Sequence, residues 1–261
     1  MRIATWNING LRARLDYLLR WLTERRPDVV GLQELKMIDD AFPAHAFENL
    51  GYQVATHGQK AWNGVAILSR EPMEITEIGL PGQEAFGARL ISADIGALSF
   101  TTVYVPNGKD ITHEDFPRKL AWLDTLVEYA KTRIGSREKA ILCGDFNICP
   151  APIDSWRGEA GAGQIFHTTE ERLRFRRFCV SPRGLVDIYR ERFPDKQAFS
   201  WWHYRAGAFH KGHGLRLDFL LATPGLYKDM RSVEIDRDYR KKQAELTPSD
   251  HAPVIAEFAT E

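Results

Sequence analysis

Along this chain, short apolar runs end again and again in a polar residue, and that recurrence limits the fold more than any other feature. The plainest case spans 139–150, where Ala140, Ile141, Leu142 and Cys143 run into Gly144, Asp145 and Asn147. An apolar run of this length that stops at a glycine reads as a buried strand. In extended chain, residues two apart face the same side, so Asp145 and Asn147 would present a carboxylate and an amide to one place. Strand ends, and the loops that follow them, are where sites on α/β scaffolds sit. Asp, Asn, Gly and Pro are also the ordinary turn formers. This segment alone does not separate a site from a turn.

The rest of the chain repeats the arrangement. Residues 2–6 read as a strand ending at Asn7, and Leu11, Leu15, Leu18, Leu19 and Leu22 then recur at helical spacing. A second strand over 28–33 ends at Glu34, with Lys36 near enough to neutralise it. Strands follow at 51–55 and 64–69, then at 88–95 and 97–105, the last leading into Tyr104, Asn107 and Lys109. Phe116, Leu120, Leu123, Leu126, Val127, Ala130 and Ile134 mark a helix that delivers the chain to the Asp145 strand. A strand over 214–222 carries Asp218 among apolar neighbours, and Asp250 and His251 precede a last strand ending near Phe258. Hairpin-like joins alternate with helical crossovers, which favours a mixed-sheet α/β protein over a doubly wound parallel sheet. Two basic stretches stand apart: a short helix over 169–179 with Arg172, Arg174, Arg176 and Arg177, and a run of Arg237, Arg240, Lys241 and Lys242 that reads as a solvated face. The aromatic run 199–205 reads first as buried strand, or else as supplying a ring to a pocket.

Composition excludes several classes. The 261 residues, 44% hydrophobic, suffice for one large domain or two small ones. Thirty-five basic and 35 acidic residues cancel, so affinity for nucleic acid would need a local basic face. Three cysteines are too few and too oddly placed for a disulfide framework, which implies a reducing compartment. No apolar run approaches the ~20 residues of a membrane span, and residues 1–6 lack the layout of a signal peptide. A cytoplasmic protein is the expectation.

Taken together, Asn7, Glu34, Asp145, Asn147, Asp218, Asp250 and His251 lie at or near strand ends, with Tyr104 beside them. If they converge, the carboxylates repel: two unit charges ~4 Å apart cost about 4 kcal/mol at an effective dielectric near 20. Such a cluster needs a counter-charge. Oxygen donors without a thiolate suit a hard cation, Mg²⁺ or Mn²⁺. On residues alone this supports a metal-dependent phosphoesterase.

Five segments, 5–12, 32–36, 144–148, 215–218 and 249–254, closely resemble the exonuclease III family of apurinic/apyrimidinic DNA-repair endonucleases, within the endonuclease/exonuclease/phosphatase superfamily. They occur in the family's order and span nearly the whole chain. The resemblance implies a single catalytic domain over 1–261: two facing mixed β-sheets flanked by helices, a four-layer DNase I-like α/β sandwich. It implies that Glu34, supported by Asn7, holds the metal, with Asp250 reaching it at some stage. Asp145 would orient or deprotonate the attacking water and Asn147 would contact the phosphate, both beside the ion. His251, oriented by Asp218, would bind the scissile phosphate next to that ion, and Tyr104 would sit on the phosphate or the leaving group.

The expected substrate is double-stranded DNA, cut 5′ to abasic sites or trimmed from 3′ ends to leave a 3′-hydroxyl, by a monomer. Trp201, Leu215 and Leu217 match positions that wall the family's abasic-sugar pocket. Lys60, Asn107, Lys109 and Arg216 are candidate phosphate contacts, ahead of the Arg172–Arg177 stretch. His167 lies in a segment without a clear family match. Two other readings compete: a superfamily hydrolase of another phosphodiester or phosphomonoester, and a non-catalytic nucleic-acid-binding relative. The 215–218 and 249–254 segments speak against the first, and the filled acid positions against the second.

Overall fold

The computed structural model describes residues 1–180 and 184–259. Its first strands are β1 (Arg2–Asn7), β2 (Val29–Gln33), β3 (Gln53–His57), β4 (Val65–Ser69) and β5 (Glu74–Ile78). Next come β6 (Leu90–Ile95), β7 (Leu98–Tyr104), β8 (Ala140–Asp145), β9 (Val186–Asp187) and β10 (Trp201–Trp202). The last are β11 (Gly214–Leu215), β12 (Asp218–Ala222), β13 (Met230–Ile235) and β14 (Val254–Phe258). One six-stranded sheet runs β13-β14-β1-β2-β4-β3, and the other runs β5-β6-β7-β8-β12-β9. The helices are α1 (Leu11–Arg25), α2 (Ala44–Glu48), α3 (Asp115–Tyr129), α4 (Thr169–Cys179), α5 (Ile188–Arg192), α6 (Ala208–Lys211) and α7 (Pro224–Tyr227).

Each sheet is built round one parallel pair joined by a helix, β1–α1–β2 in the first and β7–α3–β8 in the second. Antiparallel strands flank both pairs, so both sheets are mixed, as expected. Strand alternation sorts the side chains into layers. Ile3, Val29 and Ile67 of the first sheet meet Ile91, Phe100 and Ile141 of the second in a core between the sheets. Their neighbours Ala4, Trp6 and Val30 face the other way, onto Leu18, Trp21 and Leu22 of α1. Val103 and Leu142 face out onto Trp122 and Leu126 of α3, and Phe175 and Phe178 of α4 join that layer. The result is helix, sheet, sheet, helix. Strands buried on both faces read as unbroken apolar runs, which is why the sequence showed them. The sheets come very close at Gly31, where a Cβ would stand 2.6 Å from Thr102 Oγ1 and 3.0 Å from Cys143 Sγ.

Three expectations change. The strand over 214–222 is two strands, broken at Arg216 and Leu217, so that β11 pairs with β10 while β12 pairs with β8. Edge strands β5 and β13 carry mostly polar or exposed residues, and their periodicity gave no signal. On α3 the fully buried positions are Lys119, Trp122, Leu123, Leu126 and Val127, whereas Phe116 and Leu120 are half-buried.

Candidate active site

Register alone aligns the polar strand ends. Tyr104 on β7 and Asp218 on β12 both pair with Asp145 on β8, so three of the expected site residues stand abreast at one end of the second sheet. Gly144 permits this spacing: at its φ of 141° a Cβ would fall 1.9 Å from the Val103 carbonyl oxygen, so any side chain would push β7 away. Across the sandwich, Asn7 ends β1 opposite Gln33 on β2, with Glu34 one residue beyond. Glu34 and Asn147 adopt left-handed backbone, at φ 55° and 49°. Non-glycine residues hold that conformation at a cost, and do so mostly where the surroundings enforce it.

Side-chain hydrogen bonds tie the two sheets together here. Asn7 Nδ2 donates to Glu34 Oε1 at 2.9 Å and to Asp145 Oδ2 at 2.8 Å. Asp145 Oδ1 accepts from the Asn147 backbone N–H at 2.9 Å. His251 Nδ1 lies 2.8 Å from Asp218 Oδ2, and its Nε2 points to Asp145 Oδ2 at 3.7 Å. Ser200 Oγ also donates to Asp218 Oδ2, at 2.6 Å, whereas Asp218 Oδ1 is buried with no partner among the described residues. Ser249 Oγ donates to the Asn7 carbonyl, and Trp6 Nε1 to the His251 carbonyl, which locks the histidine's loop against β1.

The electrostatics follow from burial and from the company each group keeps. Burial is the largest influence on Asp145 and pushes its carboxyl up to about 7, helped by Asp218 and Glu34 and opposed by His251. Burial alone would pull His251 down, but Asp218, Asp145 and Asp250 overcome it and hold the imidazole protonated to about 10. Burial likewise opposes the charge on Glu34, yet the Lys36 ammonium at 2.8 Å, with Asn7, keeps its carboxyl below the usual range. Tyr104 is raised well above its ordinary value by burial and by Glu34 and Asp145, so it stays a neutral phenol. Its ring carries the Arg89 guanidinium 4.9 Å from the centroid.

Oxygens of Glu34 and Asp145 and a nitrogen of His251 lie within 4.8 Å of one another, a spacing that fits a cation. Not every expected ligand joins them. A doubly protonated His251, with Nδ1 on Asp218, has no free nitrogen lone pair. Asn7 aims its amide nitrogen at the carboxylates and gives its oxygen to the Asn9 N–H. Asp250 is spent on Asn9 Nδ2 at 2.8 Å and Trp201 Nε1 at 3.0 Å. Asn147 donates its amide to the Val105 carbonyl and faces Asn107 at 3.4 Å. The fitting donors are hard oxygens, Glu34 and Asp145, with the charge that a cation would balance.

Of the expected substrate contacts, Trp201, Leu215 and Leu217 do come together, with Cys149 and Phe166, in a small apolar cluster beside the site. The clearest correction is Arg216. Only 1% exposed, it places Nε 2.7 Å from Asp154 and Nη2 2.9 Å from Asp187, so its donors are consumed and no phosphate can reach it. Asn107, Lys109 and Lys60 are exposed. Lys109 leans on Asp115 at 2.7 Å. A groove of about 690 Å³ leads from Tyr104 past Arg89, Asn107, Lys109, Arg118 and the exposed Trp62. Arg174 and Arg177 bind Asp124 and form no free basic face. Arg240, taken for a surface residue, is buried and donates to the Asp250 and Trp202 carbonyls. His167 is buried and bridges the Ile165 carbonyl and Ser155 Oγ. Sequence reasoning missed Asn9, Ser200, Ser249, Arg89 and Phe166. Asn9 and Ser249 stood inside motifs already noted, whereas the others carry no local signal.

Comparison with known proteins agrees with this geometry. The Endonuclease/Exonuclease/phosphatase family profile matches residues 4–251. The chain is 36% identical over 271 aligned positions to the exodeoxyribonuclease III of Haemophilus influenzae, covering 99% of this chain and 100% of that protein. It superposes on a variant of the 3′ phosphatase NExo from Neisseria bound to a product DNA hairpin with a TM-score of 0.94, at 34% identity and with both chains fully covered. An AP endonuclease from Archaeoglobus fulgidus gives a TM-score of 0.92 at 34% identity, again over both whole chains. No helix among the described residues is long and apolar enough to cross a membrane. By sequence and by fold, the chain belongs to the endonuclease/exonuclease/phosphatase family, in its exonuclease III branch.

Proposed function

We propose that this protein is a Mg²⁺-dependent DNA-repair nuclease of the cytoplasm, a single catalytic domain acting as a monomer. It hydrolyses phosphodiesters of duplex DNA next to abasic sites and at 3′ termini, leaving a 3′-hydroxyl. The observation that carries this reading is the Asn7 amide bridging Glu34 and Asp145 across the two sheets, facing a histidine held by Asp218. The full-length relatives named as exodeoxyribonuclease, 3′ phosphatase and AP endonuclease support the choice of DNA.

The residues divide the labour. Glu34 and Asp145 would hold the cation, and Mn²⁺ would substitute for Mg²⁺. Bound there, the cation supplies Lewis-acid stabilisation of charge on the phosphoryl oxygens. Asp145 orients the water that attacks phosphorus in line with the leaving 3′-oxygen and accepts its proton. The His251 imidazolium donates from Nε2 to a non-bridging oxygen, while Asp218 fixes its ring through Nδ1. Tyr104 stays protonated and donates to the leaving oxygen. Asn147, whose amide holds the Val105 carbonyl, would give its second N–H to the phosphate, with Asn107 alongside. Lys109, in the groove beside Tyr104, and the exposed Lys60 contact the DNA backbone. The Trp201, Leu215, Leu217 and Phe166 cluster abuts the sugar at the cut, where a small apolar surface favours a nucleotide lacking its neighbour or its base.

The test uses a labelled duplex with one abasic-site analogue beside an undamaged duplex with a recessed 3′ end, each with Mg²⁺ and with chelator. Metal-dependent nicking 5′ to the lesion, shortening of the recessed end, or both, is the expected result. Uncut duplexes with DNA still bound would replace this reading with that of a binding protein.

A further inference from the structure

A buried ion pair behind the site is not used by the chemistry above. Lys119 on α3 and Glu171 on α4 are both 0% exposed, with Nζ 2.5 Å from Oε1. An ammonium has three donors. The other two N–H groups of Lys119 go to backbone carbonyls, Asn147 at 2.7 Å and Asn107 at 3.2 Å. The Phe166 ring lies 5.0 Å from the same nitrogen.

Glu171 is saturated as well. Its Oε2 takes the Thr168 N–H and hydroxyl, an ordinary helix cap. Its Oε1 takes Lys119 and the Phe166 N–H. One pair thus grips the loop after β7, the loop after β8 and the segment carrying Phe166. Two of the gripped residues, Asn147 and Phe166, hold left-handed backbone at φ 49° and 71°. Filling an interior does not call for a buried ion pair, which costs desolvation that apolar side chains would avoid. What this pair holds is the carbonyl of the phosphate-facing Asn147, the carbonyl of Asn107 and the backbone of an apolar wall.

We infer that Lys119 and Glu171 are positioning residues that set Asn147 and Phe166 against the substrate from behind. The inference rests on the nuclease reading. Removing one charge alone would strand the other in the interior, so the informative variant is the double substitution Lys119→Met/Glu171→Gln, which neutralises both and leaves an acceptor at the helix cap. It is expected to keep a melting temperature within about 4 °C of the parent, to lower kcat by about 10- to 100-fold, and to move KM by less than about threefold. Amide exchange should accelerate at 105–109 and 146–149 and not at 2–7 or 29–34.

Unchanged kcat with unchanged exchange would overturn the inference. So would a loss of activity that only follows the unfolded fraction, with exchange accelerated everywhere. If the unmodified protein cuts neither duplex, the nuclease reading fails, and localised exchange still decides whether the pair positions these loops.

Discussion

Two largely buried carboxylate clusters among the described residues differ in charge balance. In one, Asp154 and Asp187 meet Arg216 and Arg190, two acids against two guanidinium groups, with contacts of 2.6 to 2.9 Å. Burial opposes the charge on Asp154, but Arg216 and then Arg190 outweigh it, and its carboxyl sits below the usual range. In the other, the salt-bridge partners of Glu34, Asp145 and Asp218 among the described residues are Lys36 and His251, and Asp250 feels His251 as well, while Arg89, Lys119 and Arg240 act on the acids from farther off. There burial wins at Asp145, and its carboxyl rises. The balanced cluster leaves no buried charge unpaired, so the fold tolerates it while all partners are present. In the unbalanced one Lys36 and Asn7 hold Glu34, and His251 holds Asp250, below the usual range, so the charge left opposed by burial is that of Asp145, the one a cation would relieve. Buried acid is therefore not itself the mark of the site; uncompensated buried acid is.

The comparison can be broken in four places. Asp145→Asn should reduce turnover by about 10²–10⁴-fold at saturating Mg²⁺, measured on either labelled duplex, with DNA affinity largely kept. Arg216→Met strands Asp154 and Asp187 and should cost about 3–5 kcal/mol in urea unfolding, while turnover per folded molecule stays near that of the parent. A phosphate contact at Arg216 would show instead as weaker DNA binding at full stability. Asp218→Asn removes the strongest influence holding the proton on His251, so the rate should begin to fall at lower pH on the alkaline side. A pH–rate profile on the abasic duplex reads that shift, and an unchanged alkaline limb would remove Asp218 from its role. Lys60→Ala and Lys109→Ala should each weaken DNA binding only a few-fold and lower the slope of log affinity against log salt by about one.

The sequence disclosed the unbalanced cluster and concealed the balanced one, for a physical reason. Asn7 and Asp145 close a strand, Glu34 follows one and Asp218 opens one, and each of these strands has an apolar run that is legible because it is buried on both faces. Their convergence needed only that strand ends meet at one end of two sheets. Arg216 sits between two leucines, and its spacing resembles that of an outward-facing residue. Its burial depends on Asp154 and Asp187, 62 and 29 residues away in sequence. Lys119 is similar: in the stripe of α3 the eye takes Phe116 and Leu120, while the fully buried position is the lysine between them. Strands β5 and β13 escaped because edge strands expose a face and lose the apolar pattern. Long-range partners decide these cases, and local periodicity does not contain them.

The most direct test is thermal unfolding of the parent and of Asp145→Asn at pH 8, each in chelator and in Mg²⁺. A carboxyl whose folded pKa lies above its unfolded one destabilises the folded state at pH above both, so neutralising it should stabilise. Charge imbalance at the site predicts that Asp145→Asn melts higher than the parent in chelator, and that Mg²⁺ raises the parent markedly and the variant little. A variant that melts lower than the parent in chelator, and gains as much from Mg²⁺, would contradict it.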